Sequence, residues 1–558
     1  MKYLIVGGVA GGASTAARLR RLDEKSEIIM FEKSDYISYA NCGLPYYIGD
    51  VIKERNKLLV QTATSFKSRF NADVRVNTEV VRIDKENKKV YARNLQSGEE
   101  YAETYDKLVL APGAAPVRPP LPGIQDERIF TLRNVGDTDL IKAFLGRNKA
   151  RRAVVVGAGF IGLEMAENLE GLGLEVTVIE RESQILAPLD PAVAAIAQAH
   201  IREKGVRLFL STSVSSFERG EGGLVVHLAG AEAIETDLVI LSVGVKPDVR
   251  LAASAGLALG DGGGILVNEY LQTSDQNIYA VGDAIEFINP ITGKATITYL
   301  AGPANKQGRI CASNLVFGNV EEYKGAINTA IVKVFDMTVG IAGPATKHLE
   351  REGIIHLVST THSGSHAGYY PGAKSMTIQI AFAPGTGKLL SAQVAGYEGT
   401  DKRLDVLALV IKNKGTIYDL MEFEHAYAPP FSSAKDPVNI AGFVAENILV
   451  GKMKPFYTRE LPELPEGAFL LDVRSNGEFE QGHMPQAVNI PVDELRSRLA
   501  ELPVGKPIYV YCQIGLRGYL AQRILMQNGF KETYNLSGGY TSWKICQAEG
   551  FCAELQEH

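Results

Sequence analysis

"RRAVVVGAGFIGLEMAENLEGLGLEVTVIER", residues 151–181, carries the decisive pattern. An apolar run of strand length meets three glycines, an amphipathic stretch of helical period follows, and a second apolar run ends in Glu180. Gly157, Gly159 and Gly162 fit G-x-G-x-x-G between a strand and a helix. The first glycine allows a tight turn, the second lets a pyrophosphate approach the backbone, and the third lets helix and strand pack closely. The helix N-terminus then faces the phosphates. Glu180, at the end of the next strand, can accept from both ribose hydroxyls and would repel a 2′-phosphate, which favours NADH over NADPH. Adjacent Arg181 acts in the opposite direction.

A second copy lies at residues 2–33, "KYLIVGGVAGGASTAARLRRLDEKSEIIMFEK". Aligned on Gly7 and Gly12, its middle glycine is replaced by Val9, while Gly8 and Gly11 keep the turn thin and Glu32 ends the following strand. This unit reads as an ADP-binding site for FAD. Two such units imply two dinucleotides held face to face, in an α/β protein with two Rossmann-like domains.

At 558 residues the chain exceeds one core and calls for three or four domains. A net charge of −6 leaves no electrostatic footprint for nucleic acid, so no nucleic-acid partner is expected. The five cysteines (Cys42, Cys311, Cys512, Cys546, Cys552) are too scattered for a disulfide framework, and their odd count fits a reducing cytoplasm. The N-terminal apolar run is short and passes straight into a glycine loop, unlike a signal peptide, and no run of about 18 apolar residues reads as a membrane span.

The expected organisation is an FAD-binding domain in two parts, 1–112 and 251–324, around an NADH-binding domain, 113–250. An α+β region of mixed strand and helix patterns, without a glycine fingerprint, follows at 325–450, then a linker at 451–465 and a C-terminal domain at 466–558. The Gly/Pro-rich stretch "YDKLVLAPGAAPVRPPLPG", residues 105–123, marks the crossing between the first two domains. "GKMKPFYTRELPELPEGA", residues 451–468, is rich in proline and charge and reads as flexible.

"SYANCGLPYY", residues 38–47, holds Cys42 with no second cysteine nearby. With the two glycine loops, this stretch resembles the pyridine nucleotide–disulfide oxidoreductases over residues 1 to about 450, in their coenzyme A-disulfide reductase branch. The branch marker is a serine four residues before a single cysteine, here Ser38 and Cys42; Tyr39 replaces the usual phenylalanine. Dithiol reductases of the family carry C-x-x-x-x-C, which is absent. The resemblance implies a mixed disulfide between Cys42 and CoA, so the missing partner thiol is a diffusible one. It also implies a thiolate of low pKa, from a helix N-terminus or nearby donors. Asp283, on the turn of "IYAVGDA" (278–284), matches an aspartate near the flavin's ribityl and pyrophosphate.

Ser14, Arg18 and Arg21, at i, i+4 and i+7, share one helix face, which in the family meets the nucleotide end of CoA. Ser38 and Asn41 match positions at the pantetheine end, and Lys435 matches a lysine near CoA. "SHAGYYPGA" (365–373) and "HAYAPPFSSAKDP" (425–437) resemble a dimerisation domain that reaches into the partner subunit's active site. Two tyrosines near the CoA sulfur correspond to Tyr369, next to Tyr370, and Tyr427; a phenol there can protonate a departing thiolate. His362 and His366 have metal-like spacing, but their Gly/Ser setting reads as a loop without a third ligand, and no metal site is assigned. Cys311, Cys546 and Cys552 read as structural.

The tail resembles a rhodanese domain. Cys512 ends a strand and opens the loop "CQIGLRG" ahead of a helix, where backbone N–H groups can stabilise a persulfide anion and Arg517 adds positive charge. Asp472, Arg474 and Glu478 read as scaffold. The whole implies a homodimeric, cytoplasmic enzyme that passes electrons from NADH through FAD to a CoA-disulfide, CoA-persulfide or polysulfide at Cys42. The alternatives are a single-cysteine NADH peroxidase or oxidase cycling through a sulfenic acid, or a flavin redox sensor with little turnover. The peroxidases carry a histidine in the first glycine loop, where this chain has Ala10.

Overall fold

The computed structural model describes residues 1–551; Cys552 lies outside the described residues. The chain divides into two compact units, one of Met1–Arg181 and Val206–Asn328, the other of Glu182–Gly205 and the residues from Thr329 on.

The first unit holds two five-stranded sheets, both parallel, as expected of strand–helix–strand repeats. In the first sheet, Lys2–Val6 lies between Lys107–Leu110 and Glu27–Phe31, with Ile278–Ala280 and Asp73–Arg75 outermost. In the second, Arg152–Val156 lies between Glu175–Ile179 and Leu238–Leu241. The strands are buried on both faces, so they read as continuous apolar runs. The Gly/Pro-rich crossing is paired: Ala114–Pro116 runs antiparallel to Val245–Pro247, where the chain returns. Helix Ala301–Phe317 lies against helix Ala10–Leu22 at Gly308, whose absent Cβ would stand 2.6 Å from the Gly11 carbonyl oxygen. No side chain fits that crossing.

The second unit contains an antiparallel five-stranded sheet in the order Ala330–Val334, Met337–Ala342, Leu389–Gly396, Ser375–Phe382, Leu357–Gly364. Helix Pro191–Glu203, within the stretch expected to belong to the NADH domain, groups with this unit. Its anchor is Asp190, fully enclosed. The side-chain amides of Gln379 and Gln393 donate to Asp190 Oδ2 at 2.5 and 2.6 Å, and the Asp190 amide donates to Gln393 Oε1. Helical periodicity marks which face of 191–203 is buried but not what covers it.

The C-terminal sheet is parallel, in the order Pro455–Phe456, Thr533–Leu536, Ile508–Tyr511, Phe469–Asp472, Val488–Asn489. The segment 451–465 is therefore not a free linker. It supplies an edge strand and a 3₁₀ turn, Thr458–Glu463, and buries Phe456 and Leu461. Proline suits an edge strand, where a missing N–H costs little; composition alone could not separate that use from a spacer.

His362 lies on the outer strand Leu357–Gly364, not in a loop. Its Nδ1 bonds Thr377 Oγ1 and its Nε2 bonds Ser542 Oγ, both at 2.9 Å, and burial lowers the imidazole to about 4. The Thr360 amide donates to Ser537 Oγ, and the Tyr457 hydroxyl donates to the Val358 carbonyl. These bonds satisfy the outer edge of the antiparallel sheet with groups of the C-terminal domain. His366 bonds the Ala367 carbonyl through Nδ1.

Candidate active sites

The two glycine loops share one local geometry. Gly7 (φ +101°) and Gly157 (φ +102°) adopt a conformation that L side chains rarely take, and a Cβ on either would strike a neighbouring carbonyl, Ala111 at 2.1 Å or Ser242 at 2.4 Å. Cβ atoms on Gly12 and Gly162 would stand within 2.0 Å of the Gly7 and Gly157 oxygens. Glu32 Oε2 accepts from the Gly8 amide at 2.9 Å, and Glu180 Oε2 from the Ala158 amide at 2.7 Å. The loops differ at the middle position. A Cβ on Gly159 would meet nothing within 4 Å, leaving the helix N-terminus open to a phosphate. Val9 has a φ of −104°, outside the left-handed region that favours glycine. Asp283, on the turn after Ile278–Ala280, is held above the usual carboxylate range by burial.

Cys42 sits in the 3₁₀ turn Asn41–Gly43, ahead of the short helix Leu44–Ile48, and is exposed. Its thiol is raised, not lowered as the resemblance implied. Burial among protein atoms is the first cause, and the carboxyl groups of Glu164 and Asp283 act in the same direction. Glu164 is itself pushed up to about 7, chiefly by burial, and accepts a 3.3 Å hydrogen bond from the Tyr46 hydroxyl. Sequence reading passed over Glu164, although it stands two residues after Gly162 on the helix that opens the second loop.

Ser14, Arg18, Arg21 and Ser38 line one cavity of about 280 Å³ together with Asn305 and Arg309. The last two were not foreseen. They are spaced i, i+4 on helix Ala301–Phe317, and the Gly308 crossing brings them to the first helix. Arg18 Nε and Asn41 Oδ1 are buried without a hydrogen-bond partner. Unpaired buried polar atoms carry a cost of about 1–3 kcal/mol each, which a phosphate and an amide-bearing ligand would relieve. A guanidinium row with an orphaned donor fits CoA.

In the second unit, the Tyr369 and Tyr427 hydroxyls meet at 2.8 Å, and this bond raises the Tyr369 phenol. Tyr370 turns away and packs edge-on against His366 at 5.5 Å. Buried Arg403 joins the two loops, donating to the Ser365 carbonyl at 3.0 Å and to Asp436 Oδ2 at 2.8 Å. Lys435 is exposed beside them.

Cys512 is buried at the end of strand Ile508–Tyr511. The Gly515 amide donates to its Sγ at 3.1 Å, and Gly515 takes φ +107° to do so. Arg517 is committed: both terminal nitrogens donate to Glu478 at 2.7 Å, holding that carboxyl down at about 2. Its positive charge is offset, and Glu478 faces the loop instead of serving as remote scaffold. Asp472 and Arg474 do form a fully buried pair, with the guanidinium 3.9 Å over the Tyr540 ring. Among the described residues, no group of three or more His, Cys, Asp or Glu is placed to hold a metal ion.

The chain matches the pyridine nucleotide-disulphide oxidoreductase family over residues 1–308, the dimerisation domain of those enzymes over 329–437, and the rhodanese-like domain over 458–546. It is 38% identical over 445 residues to a coenzyme A disulfide reductase of Staphylococcus epidermidis, covering 80% of this chain and 100% of that one. The structure of reduced Bacillus anthracis CoADR-RHD superposes with a TM-score of 0.96 at 48% identity, covering 98% of each chain. A NAD-dependent persulfide reductase from A. fulgidus gives a TM-score of 0.91 at 37% identity, over 97% of this chain and 100% of that one. The glycine loops, the lone cysteine beside them and these matches over the full span agree: the chain belongs to the pyridine nucleotide-disulphide oxidoreductases, with a rhodanese-like domain at its C-terminal end.

Proposed function

We propose that the protein uses NADH to reduce a disulfide or persulfide of coenzyme A at Cys42, with Cys512 handling sulfane sulfur. The observation that carries this reading is the single exposed Cys42 close in sequence to Ser38, which lines a cavity with Arg18, while Arg18 Nε and Asn41 Oδ1 stay buried and unpaired. FAD, when bound, supplies the two-electron relay between the nicotinamide and the disulfide. Gly7, Gly12 and the Glu32-bonded turn would hold its ADP half, and Gly157, Gly159, Gly162 and Glu180 that of NADH. Glu180 supports NADH over NADPH, because a 2′-phosphate would meet a carboxylate.

The raised thiol of Cys42 has a mechanistic use. Burial and two carboxyl groups disfavour negative charge there, so an uncharged mixed disulfide with CoA is the comfortable resting state. Reduction then releases CoA thiolate, and a phenol must protonate it. The bonded pair Tyr369 and Tyr427, supplied by the partner in a homodimer, suits that role, with Lys435 nearby for the anionic ligand. Among the described residues no helix is long and apolar enough to cross a membrane.

Mass spectrometry of the native protein under non-reducing conditions tests the reading. CoA attached at Cys42 and removable by reductant is the expected result. Sulfenic or sulfinic acid alone at Cys42 would favour a peroxidase instead.

A further inference from the structure

Tyr369 and Tyr427 are 76% and 46% exposed, so burial alone does not fix their rings. Their hydroxyls still meet at 2.8 Å, and the backbone on either side supplies the placement. The Tyr370 amide donates to the Ala367 carbonyl at 2.9 Å, closing a turn around Tyr369. The Phe431 and Ser432 amides donate to the Ala428 carbonyl at 2.9 and 3.2 Å, closing a second turn next to Tyr427. One backbone bond ties the turns together: the Ala367 amide donates to the Ser432 carbonyl at 3.0 Å.

Arg403, on helix Thr400–Lys412, serves both turns from the interior. Its Nη2 donates to the Ser365 carbonyl at 3.0 Å on one side and to Asp436 Oδ2 at 2.8 Å on the other, and lies 3.2 Å from Ser432 Oγ. Its Nη1 donates to the Gly399 carbonyl at 3.1 Å, which anchors the guanidinium to the start of its own helix. Asp436 passes the constraint on. Its Oδ2 accepts from Ser432 Oγ at 2.6 Å, and its Oδ1 accepts from the Val438 amide at 3.0 Å, capping helix Pro437–Leu449 directly after Lys435.

The Arg403 and Asp436 side chains are 2% and 1% exposed. A buried ion pair adds little net stability, because desolvation offsets its Coulomb attraction. What a guanidinium supplies, and an ammonium does not, is a planar fork that holds several acceptors at set angles. We propose that Arg403 and Asp436 are positioning residues, which set the spacing of the Tyr369 and Tyr427 hydroxyls and so the reach of a phenol to a departing CoA sulfur. This rests on the reading of the two tyrosines as proton donors and names what holds them in place.

A double-mutant cycle in the full-length protein, with CoA disulfide as substrate, tests the assignment. Arg403→Lys keeps a charge for Asp436 but gives up the fork. It should lower kcat about tenfold, the scale of a small misplacement of a catalytic group, with the NADH KM within about twofold. Replacing both phenols, Tyr369→Phe with Tyr427→Phe, should lower kcat about tenfold or more. In that background Arg403→Lys should cost less than about twofold, since nothing remains for it to position. Ser432→Ala, which leaves the ion pair in place, should cost about threefold with the same dependence on the phenols, and it decides the matter if Arg403→Lys fails to fold. A wild-type kcat in the variant that does fold, or an equal loss with and without the phenols, overturns the positioning role and leaves the tyrosines as donors. A wild-type kcat without the phenols overturns the donor reading and the positioning role together.

Discussion

Cys42 and Cys512 are both reactive-cysteine candidates, and their surroundings differ in every respect that matters to sulfur. Cys42 lies in a short turn with part of its surface exposed, and its thiol is pushed up by desolvation among the surrounding protein atoms and then by Glu164 and Asp283. Cys512 is buried at a strand end and accepts a backbone N–H at Sγ. The first environment disfavours a thiolate, and the second supplies a backbone N–H donor to sulfur. On the proposed function, one chain separates a station for redox exchange from a station for sulfur transfer.

The strongest break of this comparison is a pair of substitutions. Cys42→Ser should lower NADH-linked reduction of every disulfide and persulfide by about 10³-fold or more, since no other thiol can replace it. Cys512→Ser should abolish sulfur transfer yet leave reduction of added CoA persulfide within about threefold. If both variants lose CoA-persulfide reduction equally, the two cysteines act in one shared site and the separation fails.

Two changes sharpen the Cys42 side. Tyr427→Phe should lower kcat for CoA-disulfide reduction about tenfold with little change in the NADH KM, as loss of a proton donor requires. An unchanged kcat would leave the tyrosine pair as packing only. Glu180→Ala should narrow the kcat/KM advantage of NADH over NADPH by about tenfold. Equal use of both by the unmodified enzyme would remove the ribose argument.

The smallest effects are in pH dependence, and they run in opposite directions in the two units. Glu164 has a raised pKa, so the folded state holds its proton more tightly than the unfolded chain. Its contribution is complete below about 4.5 and is lost as pH rises through about 7. Glu164→Gln should therefore raise the thermal midpoint of the first unit at pH 8 relative to pH 5, by about 2–4 °C. His362 has a lowered pKa, so its contribution is present above about 6.5 and is lost as pH falls through about 4. That loss is on the order of 3 kcal/mol and falls on the contact between strand Leu357–Gly364 and helix Gly539–Ala548. Calorimetry of His362→Asn should show a lower midpoint at neutral pH and a weaker decline on acidification. An unaltered acid response would place the sensitive group elsewhere.

Much of both sites is written locally in the sequence. A positive φ and a missing Cβ are demands that a glycine meets by itself, so Gly7, Gly12, Gly157 and Gly162 are readable without knowing what they touch. Cys42 after Ser38, and Cys512 before Gly515, are likewise short-range patterns. The charge state around those sulfurs is not local. Glu164 lies 122 positions beyond Cys42, and Glu478 lies 39 positions before Arg517. The first adds to burial in raising a thiol expected to be lowered, and the second offsets an expected positive charge.

The sequence by itself determined the two dinucleotide-binding units, the lone Cys42 after Ser38, the dimerisation segment and the rhodanese-like end, because backbone conformation and hydrophobic period act over a few residues. Only the tertiary structure decided that helix Pro191–Glu203 groups with the C-terminal unit through Asp190, and that Pro455–Phe456 is a strand and not a spacer. It alone brought Asn305 and Arg309 to Arg18, and Tyr369 rather than Tyr370 to Tyr427. Each of these is a choice of partner between distant segments, and burial, charge pairing and hydrogen-bond satisfaction select partners only once the chain is folded.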